Sequence, residues 1–284
     1  MGKIYSICKW QNITDYDKFV QNTNGVICRL GYRGSTSGTL IEDKKFREFV
    51  TNLTGKTKIG VYFFSNAINE QEATEEAQFV VNTLKYNNIS VDFPVFIQVG
   101  YGLFDQTGRA DKITKMARTL NVQAFLREIR RNGYAAGIYA SEKWINAKLD
   151  INLLLDEIKW GIKYVGDSLK VPGKVFAWQK DQCTVDGAEG VVNISDYYVE
   201  EAIPPVVSTG VDKSDIIRGM NIVLDSAPGY RSSIAEEVAE VLTGSYYTWD
   251  AKVIRNRIRI TDNEDDIGVR NGYTYWVDIN DIIV

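Results

Sequence analysis

The first 203 residues alternate short apolar runs with stretches of helical period, and this alternation restricts the fold more than any other feature. The runs occupy residues 4–8, 25–30, 59–64, 93–99, 136–139, 160–164 and 175–178. They are rich in β-branched and aromatic side chains and lack a polar alternate face, as in strands buried on both sides. Residues 13–22, 44–52, 70–85, 117–132 and 141–148 read as helices between them. Asn69 before an acidic first turn is an N-cap signal, and Asn132-Gly133 is a helix stop. Strand–helix alternation of this kind implies an α/β fold with a parallel sheet. Seven or eight strands suit a TIM-like (β/α) barrel.

The pattern changes after Pro204-Pro205-Val-Val-Ser-Thr-Gly210. Two prolines and a glycine end regular structure, and a Pro-Pro pair makes a semi-rigid spacer. The expected organisation is a barrel over 1–203, a linker over 204–214 and a second domain over 215–284. In that second part, short strands at 216–224, 237–242, 246–250, 255–261 and 274–278 are separated by turn residues, which predicts a small all-β module. Arg255-Asn-Arg-Ile-Arg-Ile-Thr261 alternates long basic with apolar side chains, as a half-exposed strand does.

Composition narrows the chemistry. The 284 residues include no histidine. This excludes Ser-His-Asp and Cys-His catalysis, His-ligated zinc and imidazole pH switching. Lys+Arg is 33 against 37 Asp+Glu, a net charge of −4. Nucleic acids and anionic membranes attract strongly positive proteins, so neither is an expected partner. Cys8, Cys28 and Cys183 are odd in number and have no paired spacing. They read as buried free thiols, with no disulfide framework and no metal site. No cofactor is expected. No run approaches the roughly 20 apolar residues of a membrane span. The first ten residues lack the apolar core of a signal peptide. The expectation is synthesis in the cytoplasm, with any work outside the cell reached by lysis or by carriage on a phage particle.

Several segments of the first part resemble family 25 glycoside hydrolases, the muramidases of phage endolysins and bacterial autolysins. Lys9-Trp10-Gln11 with Ile13 and Tyr16 is similar to the family's opening motif. Arg29-Leu-Gly-Tyr-Arg-Gly34 is similar to its second strand, and Gly60-Val-Tyr-Phe-Phe-Ser65 to its third. Phe93-Pro-Val-Phe-Ile97 matches the approach to its catalytic strand. Gly108-Arg-Ala-Asp111, Gly137-Ile-Tyr-Ala-Ser141 with Trp144, and Trp178-Gln179 follow in the family's order. The resemblance implies the family 25 lysozyme type of barrel over about 200 residues.

It also implies four acidic residues at strand ends, and those positions hold other residues here. Ser6 stands at the first, Gln98 and Gly100 at the central D-x-E pair, and Asn193 at the late one. Glycoside cleavage needs a carboxylic acid to protonate the leaving oxygen and a second carboxylate to stabilise the oxocarbenium-like centre. Glutamine and asparagine hydrogen-bond but do not cycle a proton, and glycine has no side chain. A relocated active site would have to draw on Asp92, Asp105, Asp111 or Asp196.

In such barrels ligands sit at the C-terminal ends of the strands. The candidate ligand-binding residues there are Arg29, Tyr32, Tyr62, Phe64, Gln98, Tyr101, Tyr139, Tyr164, Trp178 and Asn193. Their aromatics either stack on sugar rings or pack the barrel. Trp10 is expected to be packed. The last part, through Gly244-Ser-Tyr-Tyr-Thr-Trp-Asp250, Arg257-Ile-Arg-Ile-Thr261, Ile267-Gly-Val269 and Gly272-Tyr-Thr-Tyr-Trp-Val-Asp278, resembles bacterial SH3-like domains. That resemblance implies cell-wall binding through Tyr246, Tyr247, Trp249 and Trp276, unless these aromatics fill the module's core. The reading that follows is a catalytically impaired muramidase-like protein that binds peptidoglycan or a related wall glycan. The alternatives are an active muramidase with an atypical site, or a phage virion component whose partners are phage structural proteins.

Overall fold

The computed structural model describes residues 2–103, 105–198, 216–269 and 274–283, which fall into two compact units. In the first, eight strands close into a barrel. They are β1 (Gly2–Ile7), β2 (Gly25–Arg33), β3 (Lys58–Phe64), β4 (Val95–Gln98), β5 (Ala136–Ser141), β6 (Ile158–Ile162), β7 (Val175–Cys183) and β8 (Val192–Tyr197). Successive strands from β1 to β7 pair in parallel. β8 runs antiparallel to both β7 and β1 and closes the circle between them. The barrel therefore departs from an all-parallel one in its last strand. Residues 184–191 are too short a link for the crossover of a dozen or more residues that a parallel return needs, so the chain reverses. No apolar run marks β8, because Asn193, Ser195 and Asp196 interrupt it.

Helices α1 (Phe46–Leu53), α2 (Glu70–Tyr86), α3 (Lys115–Arg131) and α4 (Glu142–Lys148) lie close to the expected segments. Asn69 caps α2 by accepting from Glu72 N at 2.9 Å, and the Glu72 carboxylate reaches back to Ile68 N. The helix expected over 13–22 is a single turn, Tyr16–Phe19. It ends early because Thr23 and Asn24 are drawn to the Lys3 backbone, Asn24 Oδ1 accepting from Lys3 N at 2.8 Å.

Strand residues alternate between two cores, as burial on both faces requires. Outward-facing Val26, Cys28, Val61, Phe63, Ile97 and Ile138 pack beneath helix residues such as Phe49, Val80 and Phe125. Inward-facing Ile4, Ile27, Tyr62, Phe96, Tyr139, Trp160 and Phe176 fill the barrel with Phe93. Gly137 makes that packing possible, since a Cβ there would stand 2.6 Å from the Phe96 ring.

The second unit is an antiparallel sheet of β9 (Asn221–Gly229), β10 (Glu240–Thr248), β11 (Arg257–Thr261), β12 (Tyr275–Asp278) and β13 (Ile282–Ile283), ordered β12-β11-β10-β9-β13. Ile222, Leu224, Leu242, Ile258, Ile260 and Val277 form its core. The strands expected at 237–242 and 246–250 are one strand, β10. Gly244, at φ +114°, lets the chain bend there without leaving the sheet. The expected linker over 204–214 and residues 272–273 of the last motif lie outside the described residues.

Candidate functional site at the barrel mouth

The C-terminal ends of the parallel strands define a mouth, and strand alternation decides what lines it. Ser6 at the end of β1 follows Ile4 on the inner face and is the register partner of Asn193 on β8. Gln98 ends β4, in register with Phe64 on β3 and Tyr139 on β5. Gly100 follows it. A Cβ added there would meet nothing closer than Phe64 Cε2 at 3.6 Å, so the position is open.

A neutral hydrogen-bonded chain crosses this end of the barrel. Tyr139 Oη donates to Gln179 Oε1 at 2.6 Å, and Ser6 Oγ lies 3.5 Å from the same oxygen. Gln179 Nε2 donates to Tyr164 Oη at 2.5 Å. Alongside, Gln182 Nε2 donates to Asn193 Oδ1 at 2.6 Å. Burial pushes the Tyr139 hydroxyl well above its usual range, so it remains a donor at neutral pH. Burial also raises Tyr164. This chain offers amides and hydroxyls and holds no group that exchanges a proton near pH 7.

Of the four aspartates available for a relocated site, three hold partners within the fold and Asp105 is exposed. Asp92 accepts from Ile59 N at 2.8 Å, at the start of β3 and therefore at the opposite end of the barrel. Asp111 braces the loop after β4, accepting from Gly102 N at 2.7 Å and Gly108 N at 2.8 Å. Asp105 is exposed and accepts from Thr107, whose hydrogen bonds hold its carboxyl below the usual range. Asp196 alternates with inward-facing Ser195 and pairs with Lys180.

The remaining candidates divide by depth. Tyr62 and Tyr139 are core residues, with ring centroids 5.3 Å apart, and Tyr139 stacks on Trp160 at 3.7 Å. Trp178 is almost buried and donates through Nε1 to Lys163 O at 2.8 Å. Tyr32 and Phe64 are half-buried, while Tyr101 and Tyr164 are 37% and 50% exposed. Trp10 corrects the expectation of a packed residue: it is 76% exposed. It follows β1 at the rim, where the Lys9 ammonium sits 4.8 Å from its ring and 5.2 Å from that of Tyr32. Arg29 stands over the Tyr32 ring at 5.2 Å and is held by buried Asp43 at 2.7 Å.

Sequence reasoning left out Gln179 and Asp43. Gln179 follows Trp178 in a quoted motif, but the bulge where β7 meets β8 decides which of the pair faces inward. Asp43 lies 14 residues along the chain from the Arg29 it neutralises, and no local signal marks it.

Among the cysteines, Cys28 is buried, while Cys8 and Cys183 are only partly so; all three are free. On the second unit, Tyr246 shares the Leu242 face of β10 and packs against the core, whereas Tyr247 lies on the other face. Trp276 also faces away from the core, between buried Tyr275 and Val277. Trp249 is half-buried, its Nε1 donating to Val269 O at 3.2 Å.

The family model for glycosyl hydrolases family 25 matches residues 6–186, more than half of the chain. The chain belongs to that family. The family 25 match begins at Ser6 and runs through β7, and the antiparallel sheet β9–β13 lies beyond it. Among solved structures, the modular autolysin LytC of Streptococcus pneumoniae, in complex with a synthetic peptidoglycan ligand, is similar at a TM-score of 0.62 and 23% identity. That likeness covers 69% of this chain and 46% of the autolysin, so the chain spans about half of that relative's length. The CTP1L endolysin gives 0.58 and 21%, over 70% of this chain and 67% of that one. The spore cortex lytic enzyme SleM of Clostridium perfringens gives 0.60 and 16%, over 99% of this chain and 94% of that one. At these identities the likeness is one of fold. No curated protein matches the sequence.

Proposed function

We propose that this family 25 barrel binds a cell-wall glycan, peptidoglycan or a close relative, at its mouth without cleaving it at an enzymatic rate. The observation that carries the reading is the set of uncharged strand ends: Ser6, Gln98, Gly100 and Asn193 stand where the family resemblance places acids, while Asp92, Asp111 and Asp196 hold other partners and exposed Asp105 bonds to Thr107. Without an acid and a stabilising carboxylate the glycosidic bond loses the two groups its cleavage uses. Exposed Trp10, Tyr101 and Tyr164 remain around the opening, and amphipathic rings of this kind suit a wet sugar surface. The second unit, read as an SH3-like module with Tyr247, Trp249 and Trp276 on offer, adds a second attachment to the wall. Two weak sites on one chain gain by effective concentration.

The test incubates the protein with Gram-positive sacculi and measures both pelleted protein and released reducing ends. Pelleting without release is the expected outcome. Release that disappears in an Asp105→Asn, Asp111→Asn variant would overturn it. The same assay on S6D/Q98D/G100E/N193D supplies the positive arm, because position 100 has room for a side chain. Restored acid chemistry should raise release by at least about 10²-fold, the lower end of what a general acid contributes.

A further inference from the structure

β11 of the second unit sends Ile258 and Ile260 into the core and turns Arg257 and Arg259 to the opposite face. Both guanidiniums are laid on aromatic rings. Arg257 Cζ is 3.4 Å from the centroid of Tyr230, and Arg259 Cζ is 3.9 Å from that of Trp249. Trp276 is the cross-strand partner of Arg259 and bridges to Tyr230. Arg257 donates to Ala235 O at 2.7 Å and Arg259 to Thr274 Oγ1 at 3.0 Å. Among the described residues neither guanidinium is paired with a carboxylate. Asp278, in register with Arg257, accepts from Asn256 and from Asn280 N instead.

Two residues apart on one strand, the arginines stand about 7 Å from each other on the same face. Like charges held side by side are destabilising unless something neutralises them. Stacking fixes the planes of the two forks and leaves N–H edges free, an arrangement that matches oxyanions. A ligand that satisfies both must carry an acid group at about that 7 Å repeat. Phosphates joined through a three-carbon polyol meet this spacing, and the polyol stretch is short enough to lie against Trp276. A duplex nucleic acid draws its affinity from many more phosphate contacts than two. We propose that this face of the second unit binds a linear polyol-phosphate polymer, one phosphodiester to each of Arg257 and Arg259. The proposal is independent of what the barrel mouth binds.

The experiment titrates the full chain with a synthetic glycerol phosphate hexamer by calorimetry at 50 and 200 mM salt. Binding is expected, and two phosphate contacts should weaken it about sevenfold across that range. R257Q/R259Q should lose at least tenfold, with its melting temperature checking that the module folds. Should that variant unfold, Arg259→Lys decides: it keeps the charge, removes the fork and should lose severalfold. The proposal is overturned by no binding of the hexamer, by unchanged binding in the arginine variants, or by equal affinity for polyglutamate or a single-stranded oligonucleotide. Retained pelleting on sacculi stripped of phosphate-linked polymers would then leave the reading of the barrel mouth in place.

Discussion

At the lower end of the barrel Phe93, Phe96 and Phe176 meet ring against ring, with centroids 5.1–5.6 Å apart, while at the upper end Ser6, Gln98, Gln179 and Asn193 line the opening with amides and hydroxyls. The lower and middle layers bury large apolar area and account for the barrel's closure. The upper layer adds hydrogen bonds whose net worth is modest. Residues at the mouth can therefore differ while the barrel keeps its shape. A fold carried by its interior does not report what its rim does.

The contrast predicts a steep gradient of mutational cost from the middle of the barrel to the rim. Trp160 is fully buried, stacked on Tyr139, edge-on to Phe96 at 5.4 Å, and donates to Ser195 Oγ at 2.9 Å. Trp160→Ala should destabilise the barrel by about 3–5 kcal/mol, read from the urea midpoint. A loss near 1 kcal/mol would mean that the aromatic layers do not carry the fold.

One layer higher the cost should fall. Gln179→Leu keeps the volume roughly constant but removes the acceptor of Tyr139 and the donor to Tyr164. The buried Tyr139 hydroxyl then has no amide to donate to, at a cost of about 1–3 kcal/mol. Urea unfolding of Gln179→Leu beside Trp160→Ala sharpens the comparison. Equal losses would show that the mouth is as structural as the core.

The order of elements was legible in the sequence because strands buried on both faces are continuous apolar runs and the intervening helices show a clear period. β8 was not, because Asn193, Ser195 and Asp196 give it the polarity of a loop; only closure against β1 and β7 makes it a strand. At the site, motif context alone singled out positions 6, 98, 100 and 193. The depth of each aromatic was not. Tyr139 and Tyr164 carry the same side chain, yet one stacks in the core and the other is half exposed. That difference depends on where each lies relative to the end of its strand, and a shift of one residue moves a ring from the interior to the rim.

Trp10 gives the smallest expected effect on stability and the sharpest separation of roles. A tryptophan is usually worth several kcal/mol to a core. This one is 76% exposed and touches Lys9 through a cation–π contact at 4.8 Å, which at an exposed site is worth about 0.5–1 kcal/mol. Trp10→Ala should therefore leave the urea midpoint almost unchanged, within about 0.5 kcal/mol of stability. Its effect should appear in binding. If the rim holds sugar rings, the variant loses much of its pelleting on sacculi stripped of phosphate-linked polymers, where the second unit's proposed ligand is absent. Unchanged pelleting with unchanged stability would free Trp10 of any part in glycan binding and shift attention to Tyr101 and Tyr164. A large loss of stability would instead place Trp10 with the lower layers, and the contrast between the two ends of the barrel would fail at its upper edge.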